Sequence, residues 1–172
     1  MAFLLLIPFF FVRFFLMHLL DPAAVSRAAH CPPMSKGEWV AYWICQLSNM
    51  AIFLNILRTN LYTTPLPVFR AGILVYLAGM TLLTFSVIHF SIPAGNGFRQ
   101  TGVYRFSRNP MYVSYYVVFL GCALLNQSLL LLILVLIFQV SGHWLVLAEE
   151  RWCLKQFGGP YRQYQKRVRR YL

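Results

Sequence analysis

The chain has 172 residues, of which 59% are hydrophobic and 11% are charged, and Lys and Arg total 15 against 4 Asp and Glu. A water-soluble domain of this size needs a largely polar surface, so this composition and a mean hydropathy of +0.62 indicate an integral membrane protein. Most basic residues lie between apolar runs or at the C-terminus. Topology and anionic lipid headgroups explain that distribution better than nucleic acid does.

Three apolar runs occupy the first half of the chain. The first, residues 3–20, has no basic leader and is interrupted by Arg13, which favours a membrane helix over a signal peptide. The second covers 39–57 and the third 71–90. Each approaches the roughly 20 residues that cross about 30 Å of hydrocarbon, so we predict three transmembrane helices.

The segments between and after these runs are rich in proline or glycine. Residues 21–38 are predicted to form a loop, and residues 58–70 a short connection with Pro65 and Pro67. Residues 91–110 hold three glycines, two prolines and three arginines, which predicts a longer loop with turn chemistry.

Two further apolar runs, 111–125 and 129–147, are separated only by Asn126–Ser128. The first of them is about 22 Å long at about 1.5 Å per residue, so we predict a tight helical hairpin with both open ends on one side. Loop 91–110 and the basic C-terminal segment then share a compartment, which the arginines and lysines predict to be the cytoplasm. The tail breaks at Gly158–Gly159 and is expected to form short cytoplasmic helices.

The sequence therefore predicts an all-α integral membrane protein with about five transmembrane helices in a single domain, residues 1–172. Three helices fall within 1–90, and residues 91–172 supply the loop, the hairpin and the tail. An odd number of crossings places the N-terminus outside, although Arg58 and Arg70 then also lie outside. The four cysteines and the histidines lack metal-ligand or disulfide spacing, so no metal site is expected.

The stretch SRNPMY, residues 107–112, opens the fourth helix. Pro110 suits a first helical position and Asn109 is a favoured N-cap, so free backbone N–H groups should point into the loop. Helix N-termini bind anions, and Arg108 adds a positive charge. A simple helix start with an arginine that reaches the interface explains the same residues.

Glu149 and Glu150 are half of the chain's acids and lie together where the last apolar run ends. Ionisable groups at a membrane edge are costly and often functional. They could equally pair with Arg105 or Arg108 across the open end of the hairpin. Arginines, carboxylates and aromatic residues thus gather at one end of the bundle, which suits a ligand with both charges and a flat ring. Because no nucleophile–base pair or metal site is apparent, hydrolysis is not expected.

TGVYRFSRNPMY, followed by a hairpin and by EERWCLKQFGGPYRQYQKRVRR, resembles the isoprenylcysteine carboxyl methyltransferase family and the related phospholipid methyltransferases. The resemblance covers about residues 89–168. It implies S-adenosylmethionine as methyl donor, S-adenosylhomocysteine as product, and a lipophilic acceptor that enters from the bilayer, without nucleic acid or an obligate protein partner. The implied cofactor contacts are His89, Asn96, Gly97, Phe98, Arg99, Tyr104, Asn109, Pro110, Met111, Tyr112 and Glu149. Arg108, Glu149 and Glu150 form the expected catalytic set.

The chain departs from the family pattern at Asn109, where histidine is usual, and at Leu145, where prenylcysteine enzymes carry an arginine. The acceptor is therefore open between a carboxylate, an amine and a thiol. Two other functions stay open at this point: an NADPH-dependent sterol or enone reductase, and a non-enzymatic membrane scaffold whose basic tail binds anionic lipid.

Overall fold

A computed structural model describes residues 1–93 and 97–171. Within these ranges, four helices are long and apolar enough to cross a membrane, and a fifth apolar helix is shorter. The predicted all-α membrane architecture is confirmed. The helices are α1 (Ala2–Leu20), α2 (Pro22–Ala28), α3 (Lys36–Arg58), α4 (Leu66–Ser91), α5 (Pro110–Asn126, the shorter apolar helix) and α6 (Leu129–Arg167).

The bundle is built from two closely packed helix pairs, α4 with α5 and α3 with α6. Two glycines let the backbones of α4 and α5 approach each other. A Cβ atom on Gly79 would lie 2.6 Å from the backbone nitrogen of Val118, and one on Gly121 would lie 2.6 Å from Cα of Tyr76. Membrane helices commonly associate through small residues in this way, because van der Waals contact replaces the hydrophobic effect.

The predicted hairpin between α5 and α6 is confirmed. Gln127 ends α5 in the left-handed conformation, with φ 47°. Ser128 then caps α6 by accepting a hydrogen bond from the backbone N–H of Leu131 at 3.2 Å. Asn126 is buried beside the turn and accepts a hydrogen bond from the Thr59 hydroxyl at 2.7 Å, so the turn is fastened to the end of α3.

Contacts between helices and their ends define the two ends of the bundle. At one end the backbone N–H of Ala2 donates to the carbonyl of Thr59 at 3.2 Å, which places the N-terminus beside the hairpin turn. At the other end Glu38, in the first turn of α3, pairs with Arg151 of α6 at 2.6 Å. Loop 91–110 and the tail meet at this second end, as the sequence predicted.

The prediction of a continuous loop over 21–38 is wrong, because α2 lies inside it. Asp21 accepts a hydrogen bond from the backbone N–H of Ala23 at 3.0 Å, and Pro22 follows at the first helical position. This cap and proline together begin a helix that proline counting alone takes for a loop.

Helix α4 also begins earlier than predicted, at Leu66, because Pro67 lies in the first turn, where a missing N–H costs no hydrogen bond. The predicted break in the tail is confirmed at Gly158, whose φ of 56° and ψ of −128° kink α6 before it continues to Arg167.

Candidate functional site

A cavity of about 780 Å³ opens at the end of the bundle where loop 91–110 meets the tail. Its volume falls within the roughly 300–1,000 Å³ of small-molecule sites. Most residues singled out in the sequence line it: Gly97, Phe98, Arg99, Tyr104, Arg108, Asn109, Pro110, Met111, Tyr112, Glu149 and Glu150.

Among the described candidates, His89 is not in this lining. The Nδ1 atom of His89 hydrogen-bonds the Phe85 carbonyl at 2.7 Å, and its ring packs against the backbone of Gly102. Gly102 has φ 64°, and a Cβ atom there would collide with that ring. His89 therefore packs against the loop at Gly102. Asn96 lies outside the described residues.

Glu150 is the centre of a network that we call the tail clasp: Ser107, Arg108, Asn109, Glu150 and Arg170. Arg108 donates to both carboxylate oxygens of Glu150, at 3.1 and 3.2 Å, and Arg170 donates to Oε2 at 3.1 Å. The side chains of Glu150 and Arg108 are only 5% and 9% exposed. The remaining Nη1 of Arg108 donates to the Gln165 carbonyl at 2.9 Å. The guanidinium of Arg108 is therefore engaged by the protein itself.

Asn109 belongs to the same clasp, and its predicted role as a side-chain cap is wrong. Helix α5 does begin at Pro110, but the amide of Asn109 makes no cap hydrogen bond. Its two hydrogens go instead to Glu150 Oε1 and to the Arg170 carbonyl, both at 3.1 Å. The buried, doubly paired carboxylate and the tail carbonyl attract the amide more strongly than the helix terminus does.

Glu149 has a different environment. Its Oε1 accepts a hydrogen bond from the Tyr112 hydroxyl at 2.6 Å, and it forms no ion pair with any residue in the described ranges. Its side chain is half-buried and lines the cavity. A carboxylate in this state retains acceptor capacity for a ligand.

Arg99 supplies an opposite charge to the same cavity. Its Nε is buried and has no hydrogen-bond partner among residues 1–93 and 97–171. A buried donor without a partner is rare in native proteins and calls for an explanation such as a ligand. In Glu149 and Arg99 the cavity thus contains a carboxylate and a guanidinium group that the described protein leaves with free bonding capacity.

Aromatic side chains form one side of the cavity, here called the aromatic wall: Phe98, Phe157, Tyr161 and Tyr164. The ring centroid of Phe98 lies 5.1 Å from those of Phe157 and Tyr161 and 5.6 Å from that of Tyr164. The hydroxyl of Tyr164 donates to the Tyr104 carbonyl at 2.7 Å and ties the wall to the loop. Burial raises the pKa of Tyr104, so this neighbouring side chain stays neutral.

Sequence reasoning missed the contributions of α1 and α2 to the lining. Arg27, paired with Asp21 at 2.8 Å, and His30, whose ring centroid is 4.5 Å from that of Trp152, both line the cavity. Arg13 does so as well. The sequence did contain an indication for Arg13, because an arginine inside an apolar run needs polar surroundings.

The family model for phospholipid methyltransferases matches residues 68–159, more than half of the chain. The chain therefore belongs to the phospholipid methyltransferase family. The matched region contains Glu149, Glu150, loop 91–110 and the start of α5. No curated protein and no solved structure matches the chain.

Family membership and the apolar helices define an integral membrane methyltransferase. S-adenosylmethionine is the methyl donor typical of this family. The match supports the methyltransferase prediction, and nothing in it favours a sterol reductase.

Proposed function

We propose that the cavity binds S-adenosylmethionine and that this chain transfers its methyl group to a lipophilic acceptor that arrives from the bilayer. One observation carries the proposal. Glu149, which forms no ion pair in the described protein, and Arg99, whose Nε has no hydrogen-bond partner there, line one cavity beside the aromatic wall. S-adenosylmethionine carries a carboxylate, an ammonium, ribose hydroxyls, a sulfonium and an adenine ring.

The residues present fit these groups. Arg99 and the first turn of α5 suit the carboxylate, because a guanidinium and free backbone N–H groups both bind anions. Glu149 suits the ammonium or the ribose hydroxyls. The aromatic wall suits the adenine ring, and tyrosine faces attract a sulfonium cation.

This assignment changes the roles that the sequence suggested for Arg108 and Glu150. The sequence suggested that Arg108 adds a positive charge for an anion at the start of α5, but its guanidinium is bound to Glu150 and to the Gln165 carbonyl. We propose that Arg99 binds the cofactor carboxylate instead. Arg108 and Glu150, expected in the catalytic set, are then positioning residues that hold the tail against the loop.

The bound donor supplies an electrophilic methyl group on a sulfonium. The protein's own contribution is to bind, to orient and to exclude water, and positioning of this kind can lower a barrier by up to ~7–11 kcal/mol. A carboxylate or thiolate acceptor needs no general base, because it already carries the lone pair that attacks. Among the described residues, Arg99, Glu149 and the aromatic wall would bind and orient the donor.

The finer topology is part of the proposal. The cavity end of the bundle carries Arg99, Arg105 and Arg151 together with the basic tail. The positive-inside rule supports a cytoplasmic location for this end, and hence for the C-terminus.

The proposal is tested by isothermal titration of the purified full chain in detergent. We expect S-adenosylhomocysteine to bind with micromolar or better affinity and NADPH to show no binding. Absence of S-adenosylhomocysteine binding at concentrations far above micromolar would sink the proposal, and binding of NADPH alone would favour a reductase. A labelled-methyl assay on membrane lipid extracts, with mass spectrometry of the product, identifies the acceptor.

A further inference from the structure

We propose that Arg13 binds the anionic group of the lipophilic acceptor, an oxyanion carried next to the hydrocarbon chain. This inference rests on the proposed function, because it assigns the acceptor side of the same cavity. Arg13 lies in α1, outside residues 68–159, so it belongs to the part of the chain that the family model does not match.

The position of Arg13 in α1 is unusual for a charged residue. It lies about seven residues before the end of the helix at Leu20, which is about 10 Å at about 1.5 Å per residue. Charged residues at such positions in apolar helices are costly and usually functional. The helix widens locally into a π-helical turn over Phe11–Leu16, a feature frequent at functional sites.

The contacts of Arg13 leave most of its bonding capacity unused. Nη1 donates to the sulfur of Met17 at 3.2 Å, a weak acceptor, and the guanidinium lies 5.4 Å from the ring centroid of Phe14 and 5.9 Å from that of Tyr115. No acid in the described ranges forms an ion pair with it: Asp21, Glu38 and Glu150 pair with other arginines, and Glu149 forms no ion pair there. A half-buried guanidinium that lines a cavity, with five donors and no carboxylate partner in the described ranges, suits an oxyanion.

Two aromatic rings connect Arg13 to Glu149, the carboxylate that is proposed to contact the cofactor ammonium or ribose hydroxyls. The ring of Tyr115 lies 6.3 Å from that of Tyr112, and the hydroxyl of Tyr112 donates to Glu149. The two ligand sites are thus at the two ends of one short row. An acceptor held by its oxyanion at Arg13 lies in the same cavity as the donor held near Glu149.

The outer surface of α1 fits the rest of such an acceptor. Phe11, Phe14 and Phe15 are each more than half exposed, next to Arg13 along the helix. In a membrane such side chains face hydrocarbon, so a lipid chain beside α1 can place its anionic end at Arg13. A phosphate and a carboxylate share this chemistry, because arginine binds both in a bidentate manner.

Titrations of single-chain amphiphiles test the assignment. The purified full chain, saturated with S-adenosylhomocysteine in a neutral maltoside detergent, is titrated with dodecyl phosphate, dodecanoate and dodecyltrimethylammonium. The variants are Arg13→Met, which is compatible with an apolar helix, Arg13→Gln and Arg13→Lys. Arg58→Gln, at the exposed end of α3, serves as a control for charge removed elsewhere.

We expect the wild type to bind at least one anion in preference to the cation, and the preferred anion to distinguish a phosphate from a carboxylate source. Arg13→Met and Arg13→Gln should lower the affinity for that anion by at least about tenfold. Arg13→Lys should keep most of the wild-type affinity, and Arg58→Gln should leave the affinity unchanged. S-adenosylhomocysteine affinity, measured separately, should be the same in all of them.

Two results overturn the assignment: a wild type without preference for either anion, or an anion preference that survives in a folded Arg13→Met or Arg13→Gln variant. Either result leaves the proposed function intact as long as S-adenosylhomocysteine binds. Failure of the wild type to bind S-adenosylhomocysteine instead removes the proposed function itself.

Discussion

The tail clasp and the cavity lie side by side, and adjacent residues of one helix serve them. Glu150 receives hydrogen bonds from two arginines and an asparagine, whereas Glu149 receives one, from the Tyr112 hydroxyl. Neighbouring helical residues point about 100° apart, so a single step along α6 separates the two environments. Charges that the protein fully satisfies hold the fold together, and charges that it leaves partly satisfied are available to a ligand.

The largest expected effect comes from removing the centre of the clasp. Glu150→Ala leaves the buried guanidinium of Arg108 without a carboxylate, and breaking a buried ion pair in this way typically costs about 3–5 kcal/mol. We expect a clearly lower midpoint of thermal unfolding in detergent. An unchanged midpoint would contradict the structural role that we assign to Glu150.

A smaller loss of stability is expected from Asn109→Ala. The change removes two hydrogen bonds, one of them to the charged Glu150 carboxylate, and hydrogen bonds to charged groups contribute about 1.5–3 kcal/mol. Proteolysis of the tail offers a direct measurement, since loosening of the clasp should expose residues 168–171. Equal cleavage rates for the variant and the wild type would show that the clasp does not depend on this amide.

The smallest effect is expected on the cavity side, from Tyr112→Phe. The change keeps the ring and removes one hydrogen bond to Glu149, so the affinity for S-adenosylhomocysteine should fall by about 1 kcal/mol, or about fivefold, while thermal stability stays close to that of the wild type. Titration calorimetry and thermal unfolding on the same preparation separate the two quantities. A loss of stability as large as that of Asn109→Ala would place Tyr112 in the fold rather than in the site.

Much of this arrangement could be predicted from the sequence, because its signals are local. Run lengths predicted the membrane helices, the Asn126–Ser128 break predicted the hairpin, and the Asn109–Pro110 pair predicted the start of α5. The same reasoning missed α2. Its cap at Asp21 is equally local, but the prolines of residues 21–38 led to the prediction of a loop.

The different roles of Glu149, which lines the cavity, and Glu150, which holds the tail, could not be predicted, because they depend on where Arg170 and the tail fold back. The predicted hairpin left a pairing of these glutamates with Arg105 or Arg108 open, and Arg108 does pair with Glu150, but the spacing along the chain does not show which glutamate is paired. For the same reason Arg13 could not be placed in the cavity, since its position there depends on how α1 packs against Tyr115.

The most direct test of the account compares Glu149→Gln with Glu38→Gln, a carboxylate outside the cavity that pairs with the half-exposed Arg151. Titration calorimetry with S-adenosylhomocysteine in detergent measures both. The account predicts that Glu149→Gln weakens binding by at least ~1.5 kcal/mol, about the lower value for a hydrogen bond to a charged group, while the Glu38 variant binds like the wild type. Equal affinities for the two variants would contradict the claim that Glu149 is the carboxylate that the fold keeps available for the cofactor.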